Sequence, residues 1–333
     1  MIESATILGA GSWGTALAAL MAERGLRVQF WGRDTELMTE MAATRRNARY
    51  LDSVALPETI RITSDLRALD PSDLLIFVVP SRGIHDIARQ AAAAGLGKHK
   101  PRVLSCTKGI ELNSGLRMSE ILAESFPDCA VAALSGPNHA EEIAKKQATA
   151  AVVASTDAEI AREVQECFRL PWFRCYTSED VVGVEWAGAM KNPYAIAAGI
   201  AEGLQLGDNA IAALVTRALA EMVRLGTAKG GRTETFYGLS GVGDLVATCY
   251  SAHSRNHRLG LALGRGQTLD QYSAATSMVA EGVPNTQSLH QCAQHAGVRT
   301  PLLDAVYAIL YQGKAPHHAL RELLGREPRA EFD

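Results

Sequence analysis

The first half of the chain alternates short apolar runs with segments of helical periodicity. Several runs are apolar at consecutive positions, which is typical of central strands in a parallel sheet covered on both faces. The eight predicted strands are Ala5–Leu8, Val28–Trp31, Ile60–Thr63, Leu74–Val79, Arg102–Cys106, Val131–Leu134, Ala150–Ala154 and Trp172–Tyr176. The predicted helices between them include Ser12–Arg24, Ile84–Ala94, Ser119–Phe126 and Ala158–Phe168. This alternation predicts right-handed crossovers and a doubly wound α/β sheet. It leaves open whether the last two strands extend the sheet or pair antiparallel at its edge.

Beyond about Asp180 the strand pattern ends and helical periodicity takes over. Apolar residues recur at helical spacing at Ile211, Leu214, Val215, Ala218, Leu219 and Met222. Such a stripe is typical of a helix with one buried face. The segments Leu302–Tyr311 and Ala319–Leu324 also read as helices, and dense small residues from Ala187 to Gly203 indicate close helix packing. We therefore expect an α/β domain over residues 1–180 and an all-helical domain over residues 181–333.

Composition and charge narrow the class of protein. The 333 residues are 47% hydrophobic and 21% charged, with a formal charge of −3. This balance is that of a globular protein with a large core and argues against disorder as the main state. Near-neutral charge also argues against nucleic acid as a partner, since a basic excess normally neutralises phosphates. The longest apolar run is far shorter than the roughly 20 residues of a membrane span, so none is expected.

Six cysteines and the N-terminal residues indicate the compartment. No pair has CxxC spacing and none stands at a zinc-type distance from histidine, so we expect free thiols and no metal site. The N-terminus has no basic segment before its apolar stretch, so a signal peptide is not expected. A cytoplasmic location is therefore predicted.

A glycine-rich turn follows the first predicted strand directly. Gly9, Gly11 and Gly14 match the pattern GxGxxG and stand at the start of a predicted helix. In dinucleotide-binding proteins the three glycines allow a tight turn, close approach of a pyrophosphate and packing of helix on strand. The helix N-terminus then supplies free N–H groups to the phosphates. The position predicts dinucleotide binding, the alternative being a glycine-rich turn without a ligand.

The end of the second strand bears on which dinucleotide binds. NAD-selective sites usually carry Asp or Glu there, but this chain has Gly32 and Arg33 before Asp34. An arginine can stack on adenine or pair with a 2′-phosphate. The residue favours NADP or a relaxed choice between NAD and NADP, unless it is a solvated surface arginine.

Two loops carry polar residues at the carboxyl ends of later strands, where ligands bind in open α/β sheets. Lys108 stands in the first loop, and Gly136, Asn138 and Ala140 stand in the second. Each loop taken alone is also compatible with an ordinary strand-to-helix connection.

Lys191 is the sharpest candidate for chemistry in the second half. Its helical neighbours one turn away are Ala187, Gly188, Tyr194 and Ala195. Loss of solvation among such residues would lower the pKa of the amine toward a range useful for proton transfer. The alternative is that the stem lies on apolar surface while the amine reaches water.

A last pair of motifs follows Lys191. Asp244, between glycines, could orient a lysine ammonium, and Arg255 offers a fork of donors suited to phosphate, with Ser254 and Asn256 adding neutral donors. A helix-capping aspartate and a surface arginine are the alternative readings. Glu281 is uninformative by itself.

Taken together, these segments resemble the bacterial-type NAD(P)-dependent glycerol-3-phosphate dehydrogenase family. The matching motifs, in order, are GAGSWGTALA, TKG around Lys108, SGP at 135–137, GAMKN at 188–192, GVGDL at 241–245, SRN at 254–256 and EG at 281–282. The resemblance implies a Rossmann-type NAD(P)-binding domain, a helical substrate-binding domain and an active site in the cleft between them. It implies reversible reduction of dihydroxyacetone phosphate to sn-glycerol 3-phosphate for phospholipid synthesis, and it leaves a homodimer open.

The resemblance also implies roles for individual residues. Lys191 would be the proton donor and acceptor. The substrate-binding positions are Lys108, Gly136, Asn138, Lys191, Asp244, Ser254, Arg255 and Asn256. The cofactor-binding positions are Gly9, Gly11, Ser12, Trp13, Gly14, Arg33, Lys108, Ala140, Arg255, Val279 and Glu281.

Three positions depart from the family pattern. Asn138 and His139 replace the usual Ser or Thr and Phe, and Pro193 replaces an apolar residue after the KN pair. Because proline lacks an N–H, we expect a kinked or ended helix there, with a local bend rather than a lost site.

Two other functions stay open at this point. A hydroxy-acid or sugar-acid dehydrogenase of the same plan would act on a carboxylate substrate. A catalytically silent dinucleotide sensor would bind cofactor without turnover and would not depend on Lys191.

Overall fold

A computed structural model describes residues 1–276, 280–328 and 330–331. The chain forms two compact units. The first consists of Met1–Lys108 and Arg117–Val181, and the second of Gly109–Leu116 and Val182–Asp333. Each unit has its own apolar core. The short segment 109–116 thus belongs to the second unit although it lies within the first along the chain.

The first unit is built on an eight-stranded sheet and a small hairpin. The strands are β1 (Ser4–Leu8), β2 (Arg27–Trp31), β3 (Arg46–Asn47), β4 (Leu51–Ala55), β5 (Arg61–Thr63), β6 (Leu74–Phe77), β7 (Arg102–Ser105), β8 (Val131–Ser135), β9 (Thr149–Ala154) and β10 (Phe173–Ser178). Strands β3 and β4 form the separate antiparallel hairpin. All eight predicted strands are present, with ends shifted by one or two residues.

The order of strands in the large sheet is β10-β9-β8-β7-β6-β1-β2-β5. Strand β1 is paired in parallel with both β2 and β6, so the chain reverses its direction of travel across the sheet beside β1. Strand β9 is antiparallel to β8, and β10 is parallel to β9. The sequence left open whether the last two strands extend the sheet or pair antiparallel at its edge. Both are true, because β9 and β10 extend the sheet and β9 joins it antiparallel to β8. The predicted doubly wound α/β class is confirmed.

Six α-helices accompany the sheet. They are α1 (Ser12–Glu23), α2 (Thr35–Thr44), α3 (Ile84–Ala93), α4 (Met118–Ser125), α5 (Ala140–Ala144) and α6 (Ala158–Cys167). Strands β1 and β6 are buried at every position, as the continuous apolar runs predicted.

The second unit is helical throughout its described residues. Its helices are α7 (Val181–Gly203), α8 (Asp208–Ala228), α9 (Thr233–Phe236), α10 (Asp244–Tyr250), α11 (Arg255–Gly264), α12 (Leu269–Ala275), α13 (Gly282–His295), α14 (Pro301–Tyr311) and α15 (Pro316–Leu324). A π-helical turn, Leu239–Gly243, leads directly into α10. The predicted all-helical class of this half is confirmed. Across the described residues, each helix is too short or too polar to cross a membrane.

Helix α7 runs through the core of the second unit. The backbones of α7 and α11 are in contact, because a Cβ on Gly199 would lie 2.1 Å from His257 O and one on Gly260 would lie 2.0 Å from Ile196 O. The close packing predicted from the small residues is confirmed. Pro193 lies inside α7, and the helix continues for ten residues beyond it to Gly203. The alternative that this proline ends the helix is wrong, since the tertiary packing of α7 outweighs one lost hydrogen bond.

Candidate active site

The glycine-rich turn joins β1 to α1 at the point where the strand order reverses. A Cβ on Gly9 would lie 2.4 Å from Val78 O, and Gly9 has a φ of +128°. A Cβ on Gly14 would lie 1.8 Å from Gly9 O. Both positions therefore need glycine for contacts within the protein. Gly11 differs, because a Cβ there would meet nothing within 4 Å. The space at Gly11 fits a ligand that approaches the backbone closely.

The N-terminus of α1 faces this turn. The first backbone bond of the helix runs from Thr15 N to Gly11 O at 3.0 Å, so the N–H groups of the preceding residues point out of its end. Such an end binds phosphate through N–H groups and the helix dipole. Ser12 and Trp13 stand in this first turn, and Ser12 Oγ donates to Tyr50 O at 2.9 Å. The geometry fits a pyrophosphate.

Asn47 supports the turn from the β3–β4 hairpin. Its Nδ2 donates to Ala10 O at 3.0 Å and to Thr15 Oγ1 at 2.8 Å, and the residue is fully buried. The amide thereby ties the middle of the turn to the first turn of α1. Sequence reasoning missed Asn47 because it stands about 35 residues away, in a segment without strong periodicity.

The end of β2 presents an arginine rather than a carboxylate. Arg33 is exposed, whereas Asp34 caps α2 by accepting from Leu37 N at 3.1 Å and also accepts from Arg49 Nη1 at 2.6 Å. The Leu37 N–H, followed by Arg49, lowers the pKa of the Asp34 carboxyl. These partners engage Asp34, whereas Arg33 is the exposed charged side chain at the end of β2.

Lys108, Gly136 and Asn138 come together beside the ends of β7 and β8. Lys108 Nζ donates to Gly136 O at 2.8 Å. Gly136 has a φ of +131°, and a Cβ there would lie 3.1 Å from Ala150 O. Asn138 Nδ2 donates to that same Ala150 O at 3.1 Å. The two loops that the sequence singled out separately therefore form one polar cluster.

This cluster contains polar atoms with unused hydrogen-bonding capacity. Among the described residues, Asn138 Oδ1, Ser105 Oγ and Ser135 Oγ are buried without a hydrogen-bond partner. Buried polar atoms are normally paired, so unpaired ones mark a place for a ligand or water. Asn138 can therefore still accept a hydrogen bond at a position where the family carries a hydroxyl. Ala140, the first residue of α5, lies in the apolar core.

Lys191 is buried and holds two partners on α10. The residue is 8% exposed, and its Nζ donates to Asp244 Oδ1 at 3.0 Å and to Thr248 Oγ1 at 2.8 Å. The alternative that its amine reaches bulk water is wrong. A buried ammonium requires a charged or hydrogen-bonding partner, and Asp244 supplies the opposite charge. The predicted contact of Asp244 with a lysine is confirmed.

Thr248 is the member of this group that sequence reasoning missed. It stands one helical turn after Asp244, and its hydroxyl donates to Asp244 O at 2.6 Å while it accepts from Lys191. The spacing Asp-x-x-x-Thr on one helix was the available signal. Gly241 is required by the π-helical turn, because a Cβ there would lie 2.0 Å from Phe236 O. Asp244 is therefore the first residue of a helix rather than part of an open glycine turn.

The residues predicted to bind the phosphate, Ser254, Arg255 and Asn256, stand at the N-terminus of α11. Ser254 is the N-cap and accepts from His257 N at 3.1 Å, so its hydroxyl can still donate. Arg255 follows as the first helical residue and is partly exposed. The backbone N–H groups of Arg255 and Asn256 point out of the helix end. A guanidinium and two N–H groups at one helix end suit a dianionic phosphate.

Asn256 connects three helices. Its Nδ2 donates to Asn192 Oδ1 at 2.8 Å, and its Oδ1 accepts from Gly282 N at 2.8 Å. These bonds link α11 to the residue after Lys191 and to the start of α13. Asn256 thus keeps one free amide hydrogen for a ligand.

The last two predicted cofactor-binding residues are Val279 and Glu281. Glu281 stands at the N-cap of α13 and is partly exposed. Val279 lies outside the described residues.

Many of the predicted site residues fall into three groups. The first group is the turn from Gly9 to Gly14, which includes Ser12 and Trp13. The second is Lys108 with Gly136 and Asn138, and both groups lie in the first unit. Lys191 and Asp244 stand on α7 and α10 of the second unit, where Asn192 and Asn256 link α7 to α11.

Comparison with known proteins matches the chain to two family models. Residues 4–161 match the family model for the N-terminus of NAD-dependent glycerol-3-phosphate dehydrogenase, and residues 180–321 match the model for its C-terminus. Two glycerol-3-phosphate dehydrogenases [NAD(P)+] are each 45% identical. The protein from Chlorobium limicola aligns over 98% of both chains, and that from Moorella thermoacetica over 100% of this chain and 99% of its own. The crystal structure of glycerol-3-phosphate dehydrogenase from Coxiella burnetii superposes with a TM-score of 0.94 at 39% identity, covering 98% of this chain and 99% of that one.

Proposed function

This chain belongs to the NAD-dependent glycerol-3-phosphate dehydrogenase family, and we propose that Lys191 carries the proton in its reaction. The chain is an NAD(P)-dependent oxidoreductase that acts on a CH–OH group. It reversibly reduces dihydroxyacetone phosphate to sn-glycerol 3-phosphate, the precursor of glycerophospholipids. The buried contact of Lys191 Nζ with Asp244 and Thr248 is the observation that carries the proposed role.

The reaction needs a proton donor because negative charge develops on the substrate. Bound NAD(P)H supplies a hydride to C2 of the ketone, which leaves negative charge on the carbonyl oxygen. The Lys191 ammonium donates its proton to that oxygen and becomes a neutral amine, so the product is an alcohol. In the reverse direction the neutral amine accepts the hydroxyl proton. Asp244 and Thr248 hold Nζ at a fixed place in surroundings of low polarity, where hydrogen bonds are strong.

Arg255 and the N-terminus of α11 hold the phosphate end of the substrate in this proposal. Ser254 adds a hydroxyl donor, and Asn256 adds its remaining amide hydrogen. Binding of this remote group fixes the carbonyl in the orientation required for reaction, so part of the lowered barrier comes from positioning. A local group of donors also explains how a protein with a net charge of −3 binds a dianion.

Lys108 and Asp244 help to bind and polarise the substrate in this proposal, and Gly136 and Asn138 contact it. The unpaired Oδ1 of Asn138 accepts a hydrogen bond from a substrate hydroxyl, as a serine or threonine oxygen would. Lys108 also lies beside the cofactor in the family pattern. Asn138 thus retains the function of the residue that it replaces.

The cofactor-binding role rests on the first unit. We assign Gly9, Gly11, Ser12, Trp13 and Gly14 to the pyrophosphate and Arg33 to the adenosine end. Further contacts are assigned to Ala140, Arg255, Val279 and Glu281. The open space at Gly11 and the helix end beside it support this assignment. Residues 1–180 are accordingly proposed as the NAD(P)-binding domain and residues 181–333 as the substrate-binding domain.

A cytoplasmic location is part of the proposal. It is supported by the six cysteines, which are free thiols, as expected in a reducing compartment.

The proposal allows a homodimer. Analytical ultracentrifugation distinguishes a homodimer from a monomer.

The reaction is tested by the loss of nicotinamide absorbance with dihydroxyacetone phosphate and either NADH or NADPH. We expect oxidation that requires the phosphorylated ketone and competition by inorganic phosphate. Turnover of a 2-keto acid instead would support the hydroxy-acid alternative, and cofactor binding without oxidation would support the sensor.

A further inference from the structure

Glu221 is a buried carboxylate that the proposed chemistry does not use. It lies on α8 and is 3% exposed. Its Oε1 accepts from Leu302 N at 2.8 Å, and its Oε2 accepts from Leu303 N at 3.2 Å. These N–H groups belong to the first turn of α14, whose first residue is Pro301 and has none to offer. Glu221 therefore caps α14 from a different helix.

The same carboxylate also holds the helix of Lys191. Glu221 Oε2 accepts from Tyr194 OH at 3.1 Å, and Tyr194 is fully buried. Tyr194 stands three residues after Lys191, less than one turn further along α7. Between them lies Pro193, which has no N–H to contribute to the helix. The phenol thus anchors α7 beside the residue that contributes no backbone N–H to the helix.

We infer that Glu221 is a positioning residue for Lys191, acting through Tyr194. This inference rests on the proposed role of Lys191 as proton donor. The bond from Tyr194 to Glu221 fixes α7 against α8 and α14, while the bonds from Lys191 to Asp244 and Thr248 tie the same helix to α10. With α7 held at both places, Nζ keeps one position during proton transfer. A small displacement of a reacting group is enough to reduce a rate strongly.

The charge state of Glu221 gives this inference a distinctive readout. Burial raises the pKa of its carboxyl to about 7, against the opposing effect of the Leu302 and Leu303 N–H groups. Other charged and titratable groups face the pair. Besides Tyr194 itself on α7, they are Arg224 on α8, Asp304 on α14 and His290 on α13, which bonds Asp304 at 3.1 Å. Protonation at Oε2 makes the carboxyl a donor toward Tyr194 and removes the acceptor of its hydroxyl.

The experiment compares kcat for dihydroxyacetone phosphate reduction in the wild type, Glu221→Gln and Tyr194→Phe from pH 6 to pH 8.5. At pH 8 we expect kcat to fall about tenfold in each variant, the size of one hydrogen bond to a charged group, with little change in KM. The ratio of wild-type to Glu221→Gln kcat should shrink toward one at pH 6, because the protonated carboxyl then resembles the amide. The double variant should be no slower than the slower single variant.

Two controls make the result decisive. Glu234→Gln, an exposed carboxylate in the same unit, should leave kcat unchanged. Lys191→Met is assayed in parallel, and wild-type turnover by that variant would refute the proton-donor role itself. If Lys191→Met is inactive but the ratio for Glu221→Gln is constant with pH, the positioning inference alone is overturned. If Glu221→Gln does not fold, Tyr194→Phe decides, and an unchanged kcat at pH 8 overturns the inference.

Discussion

Lys191 keeps a charge inside a helical core because two side chains from one turn of α10 meet its ammonium group. Asp244 offsets the charge, and Thr248 occupies a second N–H direction. Removing one partner from a buried charged group leaves a penalty that water cannot relieve. The donor is therefore sensitive to neighbours that do not themselves react.

Replacing Thr248 by valine tests this sensitivity. The substitution keeps the volume of the side chain and removes the oxygen that lies 2.8 Å from Lys191 Nζ. We expect kcat to fall by about an order of magnitude with a smaller change in KM. Steady-state kinetics measure both, and Thr216→Val, an exposed threonine on α8, is the matched control. Equal kinetics in the two variants would contradict a role for the Thr248 hydroxyl.

Arg255 should act on the substrate phosphate and on nothing else in the substrate. Arg255→Ala is expected to raise KM for dihydroxyacetone phosphate by roughly ten- to a hundredfold, the size of one or two charge-assisted hydrogen bonds. Because Arg255 is also assigned to the cofactor, both proteins are assayed with NADH saturating. For dihydroxyacetone, which lacks the phosphate, the wild type and the variant should then have the same kcat/KM. The exposed Arg258→Ala is the control on the same helix. A parallel loss with both ketones would refute the phosphate assignment.

At the scale of elements, glycines of one motif in the turn between β1 and α1 have different roles. Gly14 is needed for packing within the protein, and Gly11 leaves space for a ligand. A Cβ on Gly14 would lie 1.8 Å from Gly9 O, whereas a Cβ on Gly11 would meet no protein atom within 4 Å. The first constraint belongs to folding, and the second remains for a ligand. The sequence motif alone does not separate the two.

Alanine substitutions separate the folding role of Gly14 from the ligand-binding role of Gly11. Gly14→Ala should lower the free energy of unfolding, because backbone atoms must move to admit the methyl group. Gly11→Ala should leave stability within about 0.5 kcal/mol but weaken NADH binding at least tenfold, since the methyl group occupies the pyrophosphate space. Urea unfolding and NADH fluorescence titration measure the two effects. Equal NADH affinity in Gly11→Ala and the wild type would contradict the cofactor site.

Most elements could be predicted from the sequence because periodicity reports burial directly. Continuous apolar runs marked β1 and β6, and the stripe on α8 marked its buried face. The directions of the last two strands could not be predicted. Strand β9 is antiparallel to β8 and β10 is parallel to β9, and such pairing depends on contacts between residues far apart in the chain. Pro193 misled in one respect, since its local preference was outweighed by the packing of α7.

The candidate site was predictable to the extent that its residues stand in motifs. Lys191 and Asp244 were found in this way, and their contact followed. Asn47 and Glu221 were not, because each acts across a large separation in sequence and through an unremarkable local pattern. Such supporting residues become visible only when hydrogen-bond partners are known.

At the scale of the whole molecule, Glu221 links stability to pH. Its folded-state pKa of about 7 lies above the ordinary value of 4.5, so the folded protein binds the proton more tightly than the unfolded chain. This contribution to stability is complete below about pH 4.5 and is lost as pH rises to about 7. The size of the loss is roughly 3 kcal/mol, from 1.36 kcal/mol per pKa unit.

Urea unfolding of the wild type and Glu221→Gln at pH 5 and pH 8 checks this linkage. Relative to the variant, the wild type should be more stable at pH 5 than at pH 8, because glutamine does not titrate. Comparing the two proteins cancels the contributions of the other carboxylates. A stability difference that is the same at both pH values would contradict the raised pKa.

The proton-donor role of Lys191 is tested most directly by chemical rescue. Lys191→Ala should reduce kcat for dihydroxyacetone phosphate by a factor of about a hundred to ten thousand, the usual contribution of a positioned acid, while NADH affinity is retained. Added ethylamine, which fits the vacated space, should restore part of the turnover, whereas sodium chloride at equal ionic strength should not. Lys145→Ala, an exposed lysine, is the control and should keep wild-type kcat. Wild-type turnover by Lys191→Ala without any added amine would contradict the role assigned to this residue.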